Sequence, residues 1–441
     1  MTKTNGAGGA PEAAPALVRA LTARDMIAVG INGVVGAGIF LAPATVARMT
    51  GAASTFVYLF AGALVALVAL CFAETGSRFD RAGGPYLYAA SAFGPFAGFE
   101  VAWFTWLARL TSLASLADGF AKYCAYLQPG LDSGWRRALL LCLLMGGLTA
   151  VNLVGVRQGA RTVNVLTISK LAPLLLFVVA GAAFIDPGRL RVTEWPASGD
   201  FGAAALFLVF VFGGFEVLTF PAEEVADPRR SIPRAILTTQ VLVVLLYVSV
   251  HLVTLGTLED VAHAATPVSS AARGFMGAAG GVLITLGAVL SIAGTQSGIM
   301  LTTPRLIFAL ARDRMLPGWM ARVHPRYRTP HASILVQGAV GLAMALVGTF
   351  EGMAVLSAIA RMVSYVATCL AVLQLRRSYG PAPFTIAGGW LVPVGATALC
   401  LWVTSRGPDG SLLAGLAAAA VGAGLYSLCR RGGGPEPPPA G

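Results

Sequence analysis

Twelve apolar stretches run along this chain, and two of them contain glycine pairs where a membrane-spanning helix would be continuous. The first is Gly36-Ala37-Gly38, inside Asn32-Gly33-Val34-Val35-Gly36-Ala37-Gly38-Ile39-Phe40. The second is Gly213-Gly214, inside Phe210-Val211-Phe212-Gly213-Gly214-Phe215-Glu216. Hydrocarbon offers a bare backbone no hydrogen bond, so non-helical chain at membrane depth persists only inside protein or beside a cavity. Two interruptions in matching places of two halves point to a transporter's substrate site.

The 441 residues are 56% hydrophobic and only 12% charged, whereas a soluble protein carries about 25% charge. Apolar runs of about 20 residues, repeated along the chain, predict a polytopic all-α membrane protein with its surface in the lipid bilayer. The expected helices, 12 in number, are 25–48, 54–76, 85–116, 135–155, 162–185, 201–222, 232–256, 277–312, 332–349, 352–375, 389–404 and 411–429. Residues 1–24 are rich in Gly and Ala and lack an apolar core, so they read as a cytoplasmic tail rather than a cleaved signal peptide. Residues 431–441 read as a disordered C-terminal tail.

The net charge of +11 does not indicate a nucleic-acid partner, because the basic residues sit in short loops between apolar runs. Six scattered cysteines show no metal-ligand spacing, and no Walker loop follows a strand-like run, so neither metal nor cofactor is expected. No His-Glu-x-x-His cluster or Ser/His pair lies at membrane depth, which argues against an embedded enzyme. With both termini placed in the cytoplasm, inside segments hold 19 of the 31 Lys and Arg residues and outside segments hold eight. That asymmetry orients the chain in a cytoplasmic membrane. Arg136 and Arg137 run against it.

Each glycine interruption opens a five-helix unit, residues 25–185 and 201–375, with 389–429 outside the pattern. Five is odd, so the two units have opposite orientation, as in an inverted repeat. The echo in sequence is faint: Gly-Ala-Gly-Ile-Phe-Leu-Ala-Pro43 against Gly-Gly-Phe-Glu-Val-Leu-Thr-Phe-Pro221. An interruption leaves the N–H groups of the following half-helix unpaired, with the positive end of its dipole, which suits a carboxylate. The carbonyls ending the preceding half-helix suit an ammonium. Together they describe a receptor for an α-amino acid backbone.

Gly36-Ala37-Gly38-Ile39-Phe40 resembles the first-helix signature of the amino acid–polyamine–organocation (APC) permeases. Phe215-Glu216, with Pro221-Ala-Glu223-Glu224-Val-Ala-Asp227-Pro228-Arg229-Arg230-Ser-Ile-Pro233-Arg234, is similar to that superfamily's sixth helix and exit loop. Gly83-Gly84-Pro85-Tyr86-x-Tyr88, Phe93-Gly94-Pro95 and Pro304-Arg305 with Ala311-Arg312-Asp313 fit as well. The resemblance spans residues 25 to 430 and implies a leucine-transporter-like 5+5 inverted repeat with broken helices 1 and 6. It further implies that Gly36, Ala37 and Gly38 meet a substrate carboxylate. The ammonium would then meet carbonyls near Val34, Phe210 and Gly213, while Ala108 and Arg109 face the substrate side chain.

Lys170 is one of three lysines in the chain and lies within the expected fifth helix, in Asn164-x-x-Thr167-x-x-Lys170-Leu-x-Pro173. An ammonium at membrane depth is costly and faces the bundle interior by default. Burial disfavours the charged form of a lysine, so this group is suited to gain and lose a proton during transport. The competing role is a side chain that snorkels to the cytoplasmic surface. Glu216, just past the second interruption, has two roles open to it: a second proton site, or an acceptor for the broken backbone. Arg109 and Arg361 either pair with Glu100, Glu216 or Glu74, or recognise an acidic substrate side chain. These residues predict a proton-coupled amino acid symporter, monomeric or homodimeric, with an amino acid or amine exchanger as the alternative.

Overall fold

The computed structural model describes residues 21–81, 83–155 and 160–430, with backbone alone for 160–166, 168 and 430. Most of the expected N-terminal tail, the C-terminal tail and Arg157 lie outside the described residues. The described residues form fourteen α-helices joined by short 3-10 turns. The first seven are α1 (Ala23–Val34), α2 (Gly38–Thr50), α3 (Ser54–Arg78), α4 (Pro85–Phe93), α5 (Pro95–Leu127), α6 (Gly134–Val154) and α7 (Ala160–Gly181). The rest are α8 (Ser198–Phe212), α9 (Pro228–Thr257), α10 (Pro267–Arg312), α11 (His331–Val347), α12 (Phe350–Tyr379), α13 (Leu391–Thr404) and α14 (Ser411–Arg430). Among the described residues the only β pairing is one isolated bridge between Leu21 and Val225.

Among the described residues, six helical stretches are long and apolar enough to cross a bilayer: Gly38–Arg78, Gly134–Val154, Pro228–Thr257, Pro267–Arg312, Phe350–Tyr379 and Ser411–Cys429. Four shorter apolar helices accompany them: Ser169–Phe184, Ser198–Phe212, His331–Val347 and Leu391–Thr404. The exposed surface is apolar, as a lipid-facing surface must be. Leu143 on α6 and Leu413, Leu416 and Leu428 on α14 are each more than 60% exposed.

Several helix ends depart from the sequence expectation, each for a local reason. The expected helix 85–116 is divided at Gly94, whose φ is +93°. Pro95 follows it, and a proline removes a donor while pushing its predecessor out of the α region. The expected helix 201–222 ends at Phe212, where the Gly213-Gly214 pair leaves helical geometry. The expected start at 277 is a kink inside α10, with Gly277 at φ +72°, and the helix begins ten residues earlier, with Pro267 in its first turn.

Polar groups gather in the otherwise apolar interior where α5 meets α12. On α5, Thr105, Ala108, Ser112 and Ser115 fall at helical spacing on one face and meet α12. Thr105 Oγ1 lies 3.0 Å from Ser364 Oγ, and Ser112 Oγ lies 2.8 Å from Ser357 Oγ. The Ser357 hydroxyl also donates to the Ala108 carbonyl (2.9 Å), and that of Ser115 to the Phe350 carbonyl (2.8 Å). Interhelical hydrogen bonds of this kind are worth about 0.6 kcal/mol each on average inside membranes. Their larger effect is to fix register, placing Arg109 of α5 and Arg361 of α12 beside one another's helix.

At the far end of α3, Glu74 is fully buried. Arg376 grips it in a fork, Nε to Oε1 at 2.6 Å and Nη2 to Oε2 at 2.5 Å. The Ile386 N–H donates to the same carboxylate at 2.9 Å. Glu74 thus ties α3 to α12 and to the segment after it. Glu74→Ala leaves Arg376 without its counter-ion, a loss of about 3–5 kcal/mol for a broken buried pair. The expected outcome is a fall of several degrees in the melting temperature of the detergent-purified protein; an unchanged melting curve would contradict this role.

Candidate functional site

The first interruption separates α1 from α2. Val35 is extended (φ −74°, ψ 93°), and α2 resumes at Gly38. Among the described residues, the N–H groups of Ala37 and Gly38 donate to no acceptor. The carbonyl side is different. Lys170 Nζ, fully buried, donates to Asn32 O (3.2 Å), Val35 O (3.1 Å) and Thr295 Oγ1 (2.9 Å). Val35 O also accepts from Ser291 Oγ (3.0 Å) and Thr295 Oγ1 (3.1 Å). Lys170 therefore does not snorkel. Its ammonium sits at the negative end of the α1 dipole, where a cation is favoured, and bridges α1, α7 and α10.

The second interruption follows α8. Gly213 is extended (φ −76°, ψ 159°) and Gly214 takes φ +121°. A Cβ on Gly214 would lie 2.5 Å from the Gly33 carbonyl oxygen, so the two interruptions touch backbone to backbone. Only glycine allows both that dihedral and that approach. Glu216 folds back over the break. Its Oε2 accepts the Gly214 N–H at 2.8 Å, and its Oε1 is paired with Arg361 Nη1. Glu216 is thus an acceptor for the broken backbone, and Arg361 finds the acid partner expected of a buried arginine.

Between the two interruptions lies a narrow cavity of about 30 Å³. Val34, Gly36, Ala37, Gly38, Arg109, Phe210 and Gly213, all expected at the site, line it. Ala108 does not, and its carbonyl is taken by Ser357. Val34 O likewise accepts from the Tyr247 hydroxyl (3.1 Å), and Phe210 O from the Gly213 N–H (3.2 Å). Sequence reasoning missed Ser112, Leu116, Thr295 and Ile299 as wall residues. Ser112 lay within reach of inspection, three residues beyond Arg109. Thr295 carried a signal too: Gly294-Thr295-Gln296-Ser297-Gly298 is a polar patch in an apolar helix.

Arg109 stands apart. It is 6% exposed, lines the cavity and makes no hydrogen bond among the described residues. Its guanidinium lies over the Phe220 ring at 5.7 Å. Glu100, one of the acids proposed as a partner, is unpaired with it.

Ion pairs collect at one mouth of the bundle. Asp118 takes Arg137 (2.8 Å), Lys122 (3.4 Å) and the Phe350 N–H (2.9 Å). Arg137 also donates to Ala345 O, Leu346 O and Gly348 O, capping the end of α11. This explains why an arginine stands against the charge asymmetry. Glu351 bridges Arg48 and Lys122, each at 3.5 Å, beside a cavity of about 550 Å³ between α2, α8 and α12.

Apolar helices around a cavity walled by interrupted backbone and buried charge define a multi-pass membrane transporter. The amino acid permease family profile matches residues 21–405, and the chain belongs to that family, within the APC superfamily. It is similar to the methylthioribose transporter of Bacillus subtilis, 29% identical over 94% of each chain. The branched-chain amino acid permease BcaP of the same organism is 25% identical over 88% of each. The serine/threonine exchanger SteT, also of Bacillus subtilis, is 29% identical over 79% of this chain and 81% of its own. The family and these relatives are transporters, not enzymes.

The backbone contact between the interruptions yields a test. Gly214→Ala introduces a Cβ into the Gly33 carbonyl at a dihedral that costs about 1–3 kcal/mol for other residues. A lower melting temperature and loss of transport are expected. Gly146→Ala, where a Cβ meets nothing within 4 Å, serves as the control and leaves both unchanged.

Proposed function

We propose that this chain is a proton-coupled symporter of amino acids, working by alternating access in the cytoplasmic membrane with both termini inside. Twelve spans are arranged as two inverted five-helix units, 25–185 and 201–375, followed by two further helices. α1 with α2, and α8 with the turns after it, are the broken first helices of the two units. The substrate backbone lies between them. Its carboxylate meets the N–H groups of Gly36, Ala37 and Gly38, with Val34, Phe210, Gly213 and Arg109 around it.

The observation that carries the reading is the position of Lys170. When protonated, it holds Asn32 O, Val35 O and Thr295 together across three helices. When neutral, it loses the charge that favours the carbonyl end of α1. The two protonation states therefore favour different placements of α1, and a ligand or proton shifts such an equilibrium only through that difference. Glu216, held by Arg361 and Gly214, serves as the fixed anion of the site.

Proteoliposomes test this. A pH gradient, acid outside, drives uptake with no substrate inside, and Lys170→Ala lowers that uptake about tenfold or more, the scale of removing one charge-assisted contact. Binding, read as a substrate-induced thermal shift, persists in the variant. Unchanged pH-driven uptake by Lys170→Ala would remove the coupling role. A second reading, amino acid exchange, is supported by the similarity to a serine/threonine exchanger. It requires uptake to depend on internal substrate.

A further inference from the structure

We infer that the site between the two interruptions, in a state wider than this closed cavity of about 30 Å³, takes a substrate of net charge −1, an amino acid with a carboxylate in its side chain, and that this carboxylate takes the guanidinium of Arg109. The inference rests on the transporter reading above and narrows its substrate class.

Each receptor for a cation in this cavity already accepts a hydrogen bond, and the singly engaged carbonyls of Val34 and Phe210 keep a lone pair for the substrate ammonium. Val35 O accepts from Lys170 and Ser291, Asn32 O from Lys170, and the one Thr295 hydroxyl proton is within reach of either carbonyl. Val34 O is held by Tyr247 and Phe210 O by Gly213. Both oxygens of Glu216 are engaged, one by Arg361 and the other by the Gly214 N–H.

Receptors for anions are open. The Ala37 and Gly38 N–H groups at the start of α2 have no acceptor among the described residues. Arg109 is buried at 6% exposure, and its Nη2 is enclosed without an acceptor. Arg361, equally buried, keeps an unpartnered Nε on the same wall. The wall thus carries two guanidinium groups against one carboxylate. Glu216 lies within electrostatic reach of both arginines but, of the two, bonds Arg361 alone, so Arg109 is left with no carboxylate hydrogen-bonded to it, which is unfavourable for a buried cation. A neutral amino acid has a single carboxylate to divide between the α2 terminus and Arg109. An acidic amino acid satisfies both, and its side-chain carboxylate matches the planar fork of a guanidinium.

The test compares L-glutamate and L-aspartate with L-glutamine and L-asparagine on the purified 441-residue chain. Thermal-shift titration reads binding, and proteoliposome uptake reads transport. One of the acids is expected to bind about tenfold or more tightly than its amide, as for a buried group built to pair with the missing charge. Arg109→Gln lowers affinity for that acid about tenfold and leaves the amide within about twofold, while Arg109→Lys restores part of the acid's affinity. Amides that bind as well as the acids overturn the charge assignment and leave the transporter reading standing. Folded protein that binds none of the twenty amino acids overturns both. Where Arg109→Gln yields no folded protein, the comparison of acid with amide on the unaltered chain decides alone.

Discussion

A backbone interrupted among apolar helices has to find its hydrogen-bond partners inside the protein. Two charged side chains supply part of them here, beside the hydroxyls of Tyr247, Ser291 and Thr295. Lys170 takes the carbonyls at the end of α1, and Glu216 takes the N–H that Gly214 turns away from α8. Each is itself charge-balanced by what it holds: the ammonium by a helix dipole and carbonyls, the carboxylate by Arg361. Each interruption supplies the polar partners that let its charged side chain sit at that depth.

The packing divides into two kinds. α5 and α12 are knitted by hydroxyls that fix their register, and these helices bring the two arginines to the cavity. The broken helices meet through Gly33 and Gly214, backbone on backbone, with the Val217, Val211 and Leu218 side chains seated against Gly33, Gly38 and Gly30. A hydroxyl seam resists sliding, whereas a glycine contact resists only approach.

Much of this was legible in the chain itself. Glycine pairs in apolar runs marked both interruptions, because lipid makes such sequences informative. Lys170 and Arg109 stood out for the same reason, as charges in stretches that exclude them. What was illegible depended on partners distant in sequence. Whether Lys170 pointed inward or snorkelled was decided by Asn32, Val35 and Thr295. The pairing of Arg361 with Glu216, rather than of Arg109, followed from the register of α12 on α5. The role of Arg137 required the end of α11 to lie above it. Helix ends failed where glycine and proline punctuate long apolar runs: Gly94-Pro95 cut a helix that hydropathy would continue, and Gly277 kinked one that it would shorten.

The Leu21–Val225 bridge has a mechanical consequence. The Leu21 N–H donates to Glu224 O (2.9 Å) and the Ala226 N–H to Leu21 O (3.1 Å), just before Thr22 caps α1. The lead-in to the first broken helix is therefore stitched to the turn leaving the second. If α1 swings away from that turn, both stitches part together, so the bridge acts as a latch between the two broken helices. A fusion partner placed immediately before Leu21 would pull on that latch, and its linker length would set how freely the bundle opens.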